Sequence, residues 1–235
     1  MGIGVLTQRE ALLTRTHKDK LMSLQFKNSA TRYGVVSKAL HWSIALLFAF
    51  QFLSILCFRF LEEQPTDLTW GVLNWHKSIG LLILILGLFR LIWRRLVKLP
   101  EWPEHFSDWD KSVTHFAEYG LYASIFLMTI SGLAIELAGG HYIPFFGLFY
   151  VDNLNPYLHF GAVSYDDAVM AARAAKQLPM LCNSLVVVHI AGAYGVLIFF
   201  TSHILHVIKH QQSDETKILQ RMLPQKKNEG ADPEP

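Results

Sequence analysis

The sequence predicts an all-α integral membrane protein, a four-helix bundle with a long periplasmic connection between its third and fourth helices. Of its 235 residues, 51% are hydrophobic and 17% are charged, whereas soluble domains carry about a quarter charged residues. Four apolar stretches reach the roughly 20 residues that a helix needs to cross a hydrocarbon core of about 30 Å. Lys and Arg gather at alternate ends of these stretches, as is typical of multi-pass membrane proteins.

The predicted spans cover residues 38–58, 75–96, 115–138 and 182–208. Together they make a four-helix transmembrane domain of residues 35–211. A polar, partly disordered extension at 1–34 precedes this domain, and a cytoplasmic tail at 212–235 follows it.

The N-terminal extension lacks the apolar segment and small-residue cleavage site of a secretory signal peptide. Met22 opens a segment that would make a natural start of its own, so translation from Met1 and translation from Met22 both remain open. The first 21 residues are then either a disordered extension or the product of an upstream start.

The positive residues predict that both termini lie on the cytoplasmic side. The chain up to Lys38 holds seven Lys and Arg residues, residues 90–111 hold five, and residues 209–227 hold five more. The third connection, residues 139–181, holds only two. Because cytoplasmic segments carry an excess of Lys and Arg, the chain is expected to be N-in and C-in in a bacterial inner membrane, surrounded by lipid.

The third connection is too long for a simple turn. Its first part, GGHYIPFFGLFYV, is aromatic and punctuated by Pro and Gly, which suits the membrane interface. Its second part, SYDDAVMAARAAKQ, predicts a short amphipathic helix that follows a Ser or Asp cap. Together the two parts are expected to form a periplasmic lid.

Four histidines lie within or at the ends of the apolar stretches, where an ionisable side chain is costly and indicates a functional site. They are His41, His76, His189 and His203. The fourteen residues from His189 to His203 rise roughly 21 Å and rotate to about 40° short of four full turns. These two side chains are therefore expected to face the same way from opposite ends of one membrane helix.

The predicted orientation sorts these histidines into two pairs by depth. His41 and His203 lie near the cytoplasmic ends of spans one and four, whereas His76 and His189 lie near the periplasmic ends of spans two and four. Two imidazoles fill both axial positions of a haem iron, which suits electron transfer. The sequence therefore predicts two haems b with these four side chains as iron ligands; polar contacts between helices are the alternative.

Two further histidines lie near the cytoplasmic pair. His206 shares roughly the face of His203 and is the alternative cytoplasmic ligand, although the fourteen-residue spacing favours His203. His115 opens the third span, where it either contacts a haem propionate or a quinone or has a structural role.

Arg90 lies fourteen residues after His76, so it reaches the depth of the cytoplasmic pair on nearly the same helix face. A guanidinium there would pair with a haem propionate, which offsets the cost of both charges. Arg90 is therefore a predicted cofactor-binding residue. The alternative is a cytoplasmic anchor whose charged end reaches water.

Composition disfavours several other classes of function. The net charge of +2 is too small to indicate a nucleic-acid partner. Only Cys57 and Cys182 occur, without a C-x-x-C-H motif, so neither covalent haem attachment nor a cysteine-based zinc site is predicted. A disulfide between them is permitted on the periplasmic side, but two separate thiols are favoured.

Three segments carry a family resemblance: RYGVVSKALHW at the first span, WHKSIGLLILILGLFRLIWR at the second, and the H-x13-H of the fourth. The closing KHQQSDETKILQRMLP adds weaker support. Over residues 31–224 the chain resembles the bacterial cytochrome b561 family of four-helix membrane proteins with two b-type haems. The resemblance implies the same four axial ligands, and electron transfer across the membrane, often with a quinone as one partner.

The chain departs from the family pattern in the third span. That span often begins with a histidine followed four residues later by tyrosine. Here Glu118 stands at the histidine position, Tyr122 is kept, and His115 lies one turn earlier. A role for this end in handling quinone or protons is therefore left open.

The expected function is that of a dihaem cytochrome that passes electrons between the quinone pool, such as ubiquinone, and a periplasmic redox partner or catalytic subunit. It works either alone, as a quinone-linked oxidoreductase, or as a subunit of a larger complex. The alternative is a histidine-lined transporter for metal ions or protons. Transport predicts acidic residues at the membrane midplane, whereas Glu118 and Glu136 lie towards the ends of the third span.

Overall fold

Five helices and one two-stranded hairpin make up the part of the chain that the structure describes. The structure is a computed structural model, and it describes residues 26–63, 66–138, 141–151, 165–212 and 218–224, with the backbone alone for 165–179. The elements are α1 (Val35–Leu61), α2 (Asp67–Leu96), α3 (Asp108–Ala138), β1 (Ile143–Phe145), β2 (Phe149–Val151), α4 (Tyr165–Gln212) and α5 (Ile218–Met222). Most of the predicted N-terminal extension and C-terminal tail lies outside the described residues.

Hydrogen bonds to polar side chains hold the starts of two long helices. Before α1, the Asn28 Oδ1 atom accepts hydrogen bonds from the Gly34 N–H at 2.9 Å and from the Ser37 hydroxyl at 2.8 Å. At α3, the Asp110 N–H donates to Ser107 Oγ at 3.1 Å, and the Ser107 hydroxyl donates to the Asp110 carboxylate at 2.6 Å. These bonds help to satisfy groups at the helix N-terminus that have no partner inside the helix.

Three segments of the described chain are long and apolar enough to cross a membrane: Val35–Leu61, Asp108–Ala138 and Met180–Gln212. The protein is therefore mostly helical, with three candidate membrane spans. The predicted span at 75–96 falls in α2, which is not among the three. That helix has 30 residues and carries four charged side chains within this stretch, Lys77, Arg90, Arg94 and Arg95.

The helix that carries His189 and His203 begins earlier than the sequence predicts. The backbone of α4 is continuous from Tyr165 to Gln212, so the expected separate amphipathic helix is in fact its first part. Five alanines lie between residues 168 and 175, and alanine has the highest helix propensity. The helix continues through Pro179, where a break would be expected, and the third connection is shorter than predicted.

The third connection contains a β-hairpin that the sequence did not predict. Strands β1 and β2 pair antiparallel, and the turn between them places Gly147 at a φ of 73°, which favours glycine. The Ser78 hydroxyl of α2 donates to the Pro144 carbonyl at 2.5 Å, and its oxygen accepts from the Phe146 N–H at 3.1 Å. The hairpin is therefore fixed to α2 two residues after His76.

One apolar cluster receives buried side chains from all four long helices. Its members are Ile44, Phe48, Ile79, Ile83, Met128 and Val196. Ile83 is only 1% exposed. By position along the helices, the cluster lies between the level of His41 and His203 and the level of His76 and His189. Many other large apolar side chains, such as Leu46 at 69%, are exposed, as suits a surface that faces lipid.

Helices α3 and α4 pack closely through small residues. A Cβ atom added to Gly192 would lie 3.0 Å from Met128, and one added to Gly195 would lie 2.5 Å from Ser124 Oγ. Small residues of this kind let membrane helices approach one another. Helix α1 packs on α2, and α2 on α3, whereas neither α1 nor α2 makes a comparable contact with α4 in the described part of the chain.

The described ends of the chain are joined at one end of the bundle. Arg221 of α5 donates to the Thr31 carbonyl at 2.5 Å and to the Glu101 carbonyl at 2.7 Å. The Trp42 indole donates to the Met222 carbonyl at 3.0 Å. These bonds connect α5, the segment before α1 and the α2–α3 connection. They lie beside His41, whose ring centroid is 5.3 Å from that of Trp42.

Candidate functional site

The four predicted histidines come together as two pairs. His41 of α1 and His203 of α4 have ring centroids 6.2 Å apart and ring planes inclined by 63°. His76 of α2 and His189 of α4 have ring centroids 6.5 Å apart and planes inclined by 71°. All four side chains are partly buried. Along α4 the two pairs are separated by roughly 21 Å.

Each separation fits two imidazoles bound on opposite sides of one metal ion. A bond from an imidazole nitrogen to a metal ion is about 2 Å long, so the centroids of two opposed rings lie about 6 Å apart. The helices that carry each pair have no extensive contact with each other among the described residues. The residues present therefore fit a planar group held between the two rings of each pair.

A cavity of about 220 Å³ lies at the His76/His189 pair, and both histidines line it. Most of its wall is apolar. The exceptions include Lys77 and Glu136, whose side chains form an ion pair at 2.7 Å and are 14% and 18% exposed. An apolar wall with a few placed polar groups is typical of a cofactor site.

Hydrogen bonds from α1 fix the ring of His76. The Ser54 hydroxyl donates to the Gln51 carbonyl at 2.8 Å, and Ser54 Oγ lies 3.2 Å from His76 Nδ1. Ser54 therefore accepts from Nδ1–H, which leaves Nε2 free to bind a metal ion. The Gln51 amide also donates to the His76 carbonyl at 3.0 Å, which ties α1 to α2 at this level.

Neighbours on α3 fix the ring of His189. Its Nδ1 atom lies 2.7 Å from the Met128 carbonyl oxygen and 3.3 Å from Ser131 Oγ. A carbonyl oxygen can only accept, so Nδ1 carries the proton and Nε2 is free. A Cβ atom added to Gly132 would lie 2.9 Å from His189 Cε1. Gly132 therefore provides the space in which the ring takes this orientation.

Arg90 lies beside the His41/His203 pair. Its guanidinium donates to the Ser37 carbonyl of α1 at 3.2 Å and interacts electrostatically with both histidines. The Trp93 indole donates to Ser37 Oγ at 3.0 Å, which joins α2 to α1 a second time. Arg90 is thus held close to the pair, and its contact with a haem propionate stays a prediction.

An ion pair between α2 and α3 lies near Arg90. Arg94 pairs with Glu118, and both side chains are mostly buried. Glu118 also interacts electrostatically with Arg90. The position at which the resembled family often has histidine therefore holds a carboxylate whose charge Arg94 neutralises.

His115 lies one turn before Glu118. Its ring centroid is 5.4 Å from that of Trp102 and 5.9 Å from that of Tyr119. Its Nδ1 atom is buried and has no hydrogen-bond partner among the described residues. The aromatic contacts agree with the structural alternative, and a contact with quinone or propionate stays untested.

His206, the alternative ligand, makes other contacts. Its Nε2 atom lies 3.0 Å from Thr114 Oγ1 of α3, and its ring centroid is 4.5 Å from that of His210. Ligand atoms of Asp110, His206 and His210 lie within 4.8 Å of one another. Asp110, however, already accepts from His210 at 3.1 Å and from Lys209 at 2.9 Å. This cluster ties α3 to α4, and it is His203 whose ring lies next to that of His41.

The sequence did not single out Ser54, Gly132 or the ion pair of Lys77 and Glu136. A polar residue within an apolar span is a signal that could have indicated Ser54. Small residues in membrane helices are, however, equally typical of close helix packing. The partner of Lys77 depends on the rotation of α3 relative to α2, which a single sequence does not contain.

The two cysteines are not joined. Cys57 and Cys182 are both free, and Cys57 is exposed. Two separate thiols were the favoured alternative.

Comparison with known proteins gives two matches. A family model described as prokaryotic cytochrome b561 matches residues 32–225. The curated protein named cytochrome b561 homolog 2, from Escherichia coli (strain K12), is 28% identical over 202 residues, which cover 85% of this chain and 95% of that relative. All four paired histidines and Arg90 lie within the region that the family model matches. The resemblance inferred from the sequence is confirmed.

Proposed function

Because the chain belongs to the prokaryotic cytochrome b561 family and is thus a helical bacterial membrane cytochrome of the b type, we propose that it holds two haems and transfers electrons across the inner membrane. His41 and His203 bind one haem through their Nε2 atoms, and His76 and His189 bind the other. Bound in this way, haem supplies one-electron redox chemistry.

The observation that carries this proposal is the matched separation of the two pairs. The ring centroids lie 6.2 Å apart in the His41/His203 pair and 6.5 Å apart in the His76/His189 pair. The separations agree although the partner of the α4 histidine comes from α1 in the first pair and from α2 in the second. Unrelated polar contacts between helices have no reason to repeat the same separation at two depths. In addition, Nδ1 of both His76 and His189 is held by an oxygen atom, which leaves the Nε2 atoms available as ligands.

The protein binds, orients and shields the two groups. Arg90 pairs with a propionate of the haem that His41 and His203 hold, which offsets the cost of a buried guanidinium. Ser54 and Met128 fix the tautomers of His76 and His189. The apolar cluster between the two levels would surround the space between the two groups with mainly nonpolar side chains.

The proposed topology has four spans, with both termini in the cytoplasm and residues 139–164 in the periplasm. Helix α2 supplies the fourth span, since its 30 residues extend roughly 45 Å at the rise of an α-helix. The Lys and Arg distribution supports this orientation. Residues 35–211 form the cytochrome domain in this proposal, with the extension at 1–34 and the tail at 212–235 on its cytoplasmic side.

The proposed electron partners differ on the two sides. A quinone such as ubiquinone exchanges electrons near the His41/His203 haem, and a periplasmic redox partner or catalytic subunit exchanges them at the other face. The hairpin fixed to Ser78 is where such a partner would dock. Reduction of the purified chain by quinol without added subunits would support a solitary enzyme, and its absence would support a subunit role.

Haem quantitation on single and double variants tests the ligand assignment. We expect two haems in the unsubstituted protein and one in each of His41→Ala, His76→Ala, His189→Ala and His203→Ala. The double variants His41→Ala/His203→Ala and His76→Ala/His189→Ala should each keep one haem, because each removes one complete pair. His41→Ala/His76→Ala should keep none. The exposed His105→Ala serves as the control and should keep two.

Other outcomes would overturn the assignment. One haem in His41→Ala/His76→Ala would mean that these two histidines bind the same iron. Two haems in His203→Ala would transfer the ligand role to His206. The alternative function, a histidine-lined transporter, is not favoured, because the chain belongs to a cytochrome family. Only purified protein without haem absorption would support it.

A further inference from the structure

The two histidine pairs have different hydrogen-bond surroundings. Nδ1 of His76 and Nδ1 of His189 each lie within hydrogen-bond distance of an oxygen atom, at 3.2 Å and 2.7 Å. In the described part of the chain, the rings of His41 and His203 have no such bond. They lie instead within the electrostatic reach of Arg90.

We propose that these surroundings set two different reduction potentials, the lower one at the His76/His189 haem and the higher one at the His41/His203 haem. Ser54 is a positioning residue in this arrangement and acts through His76. The inference rests on the proposed dihaem function. It gives that function a direction, since one electron at a time would pass downhill from the His76/His189 level to the His41/His203 level.

The hydrogen bonds lower the potential of the His76/His189 haem. When Nδ1–H donates to an oxygen atom, the imidazole becomes more basic at Nε2 and gives more electron density to the metal. This stabilises Fe(III) relative to Fe(II), so uptake of one electron becomes less favourable. The bond to Met128 uses a backbone carbonyl, whereas the bond to Ser54 can be removed by substitution.

The fixed charges act in the same direction. At the His76/His189 level, Lys77 and Glu136 form an ion pair at 2.7 Å and together carry no net charge. At the His41/His203 level, Glu118 neutralises Arg94, and Arg90 is the positive charge left to offset a negative propionate of the haem that this pair would hold. A nearby positive charge disfavours Fe(III) more than Fe(II), and its effect is larger in the low dielectric of a membrane protein interior than in water.

A redox titration of the purified holoprotein in detergent, followed by the visible absorption of reduced haem, tests this inference. The unsubstituted protein should titrate as two one-electron components of equal size. Ser54→Ala should raise the lower component by a factor of about ten in the redox equilibrium constant, or about 59 mV, and leave the upper one in place. Ser124→Ala is the matched control, since Ser124 faces Gly195 and should move neither component.

Two ligand variants assign the components to the sites. His76→Ala should retain only the upper component and His41→Ala only the lower one. The opposite retention, or a Ser54→Ala shift that is absent or confined to the upper component, would overturn the inference while two haems per chain still supported the proposed function. Fewer than two haems in the unsubstituted protein would overturn both.

Discussion

His41 and His203 at one level, and His76 and His189 at the other, present nearly the same ring separation in different surroundings. At the His76/His189 level, α1 and α3 contribute hydrogen-bond acceptors, and Gly132 leaves space for the ring of His189. At the other level the guanidinium of Arg90 acts electrostatically on both rings. The surroundings of the His76/His189 pair thus consist of hydrogen bonds and close packing, whereas those of the His41/His203 pair are dominated by a charge.

The difference separates two properties that are easily treated as one. The distance between the rings of a pair depends on where the helices lie. The electron-donating strength of each ring depends on neighbours that belong to other helices. Substitutions of those neighbours can therefore change the chemistry at one level and leave the distance between the rings, and the other level, unchanged.

The largest effect is expected for Gly132→Ala. The added Cβ atom would lie 2.9 Å from His189 Cε1, so the ring must move or the helices must separate, at a cost of about 1–3 kcal/mol. We expect loss of the His76/His189 haem and retention of the other, measured by haem content and redox titration. Gly71→Ala is the control, because a Cβ atom there meets nothing within 4 Å. Two haems with unchanged potentials in Gly132→Ala would show that the packing around His189 is adaptable.

A smaller effect, at the opposite level, is expected for Arg90→Gln. Loss of a group that supports a bound metal centre typically weakens binding by about 10–100-fold, and we expect the lower end of that range. The measurement is the rate of haem transfer to excess apomyoglobin, in which only the His41/His203 haem should leave faster. Arg90→Lys keeps the charge, so its rate of haem loss should lie between those of the unsubstituted protein and Arg90→Gln. The exposed Arg59→Gln should leave the rate unchanged. Faster loss of the His76/His189 haem would contradict the placement of Arg90.

The smallest effect is expected for His206→Ala. Both haems should be retained, because the structure pairs His203 with His41. The thermal midpoint should fall slightly, since the contact with Thr114 is worth about 0.5–1.5 kcal/mol. Thr114→Val should lower the midpoint slightly more, because it also removes the bond from the Thr114 hydroxyl to the Asp110 carbonyl. The double variant should add little to Thr114→Val, since both changes remove the contact between His206 and Thr114. Loss of one haem in His206→Ala would shift the ligand role from His203.

Much of the architecture follows from helix geometry alone. The apolar spans in α1, α3 and α4 required only the length of apolar stretches. The meeting of His41 with His203 and of His76 with His189 also required the 3.6-residue period and the distribution of Lys and Arg, and the family required the sequence motifs of the first, second and fourth spans. The role of these histidines as haem ligands, and the fourth span in α2, remain predictions. The prediction of a separate amphipathic helix was wrong, because the alanine-rich segment belongs to α4, which continues through Pro179.

The features that the sequence could not provide depend on contacts between elements. Ser54 and Gly132 acquire their roles from the rotation of α1 and α3 relative to the histidine helices. Strands β1 and β2 have three residues each, too few for an alternating pattern to be recognised. The bonds of Ser78 to the hairpin connect residues more than 60 positions apart.

The apolar cluster around Ile83 bears on how electron transfer would affect the membrane voltage. Its side chains come from all four long helices and leave Ile83 only 1% exposed, so the described part of the chain places a mainly apolar layer between the two histidine levels. If the two proposed haems lie on either side of this layer, electrons can cross it by tunnelling, whereas an ion must overcome the cost of entering an apolar region. Each electron that crosses would then change the membrane voltage without carrying a proton with it.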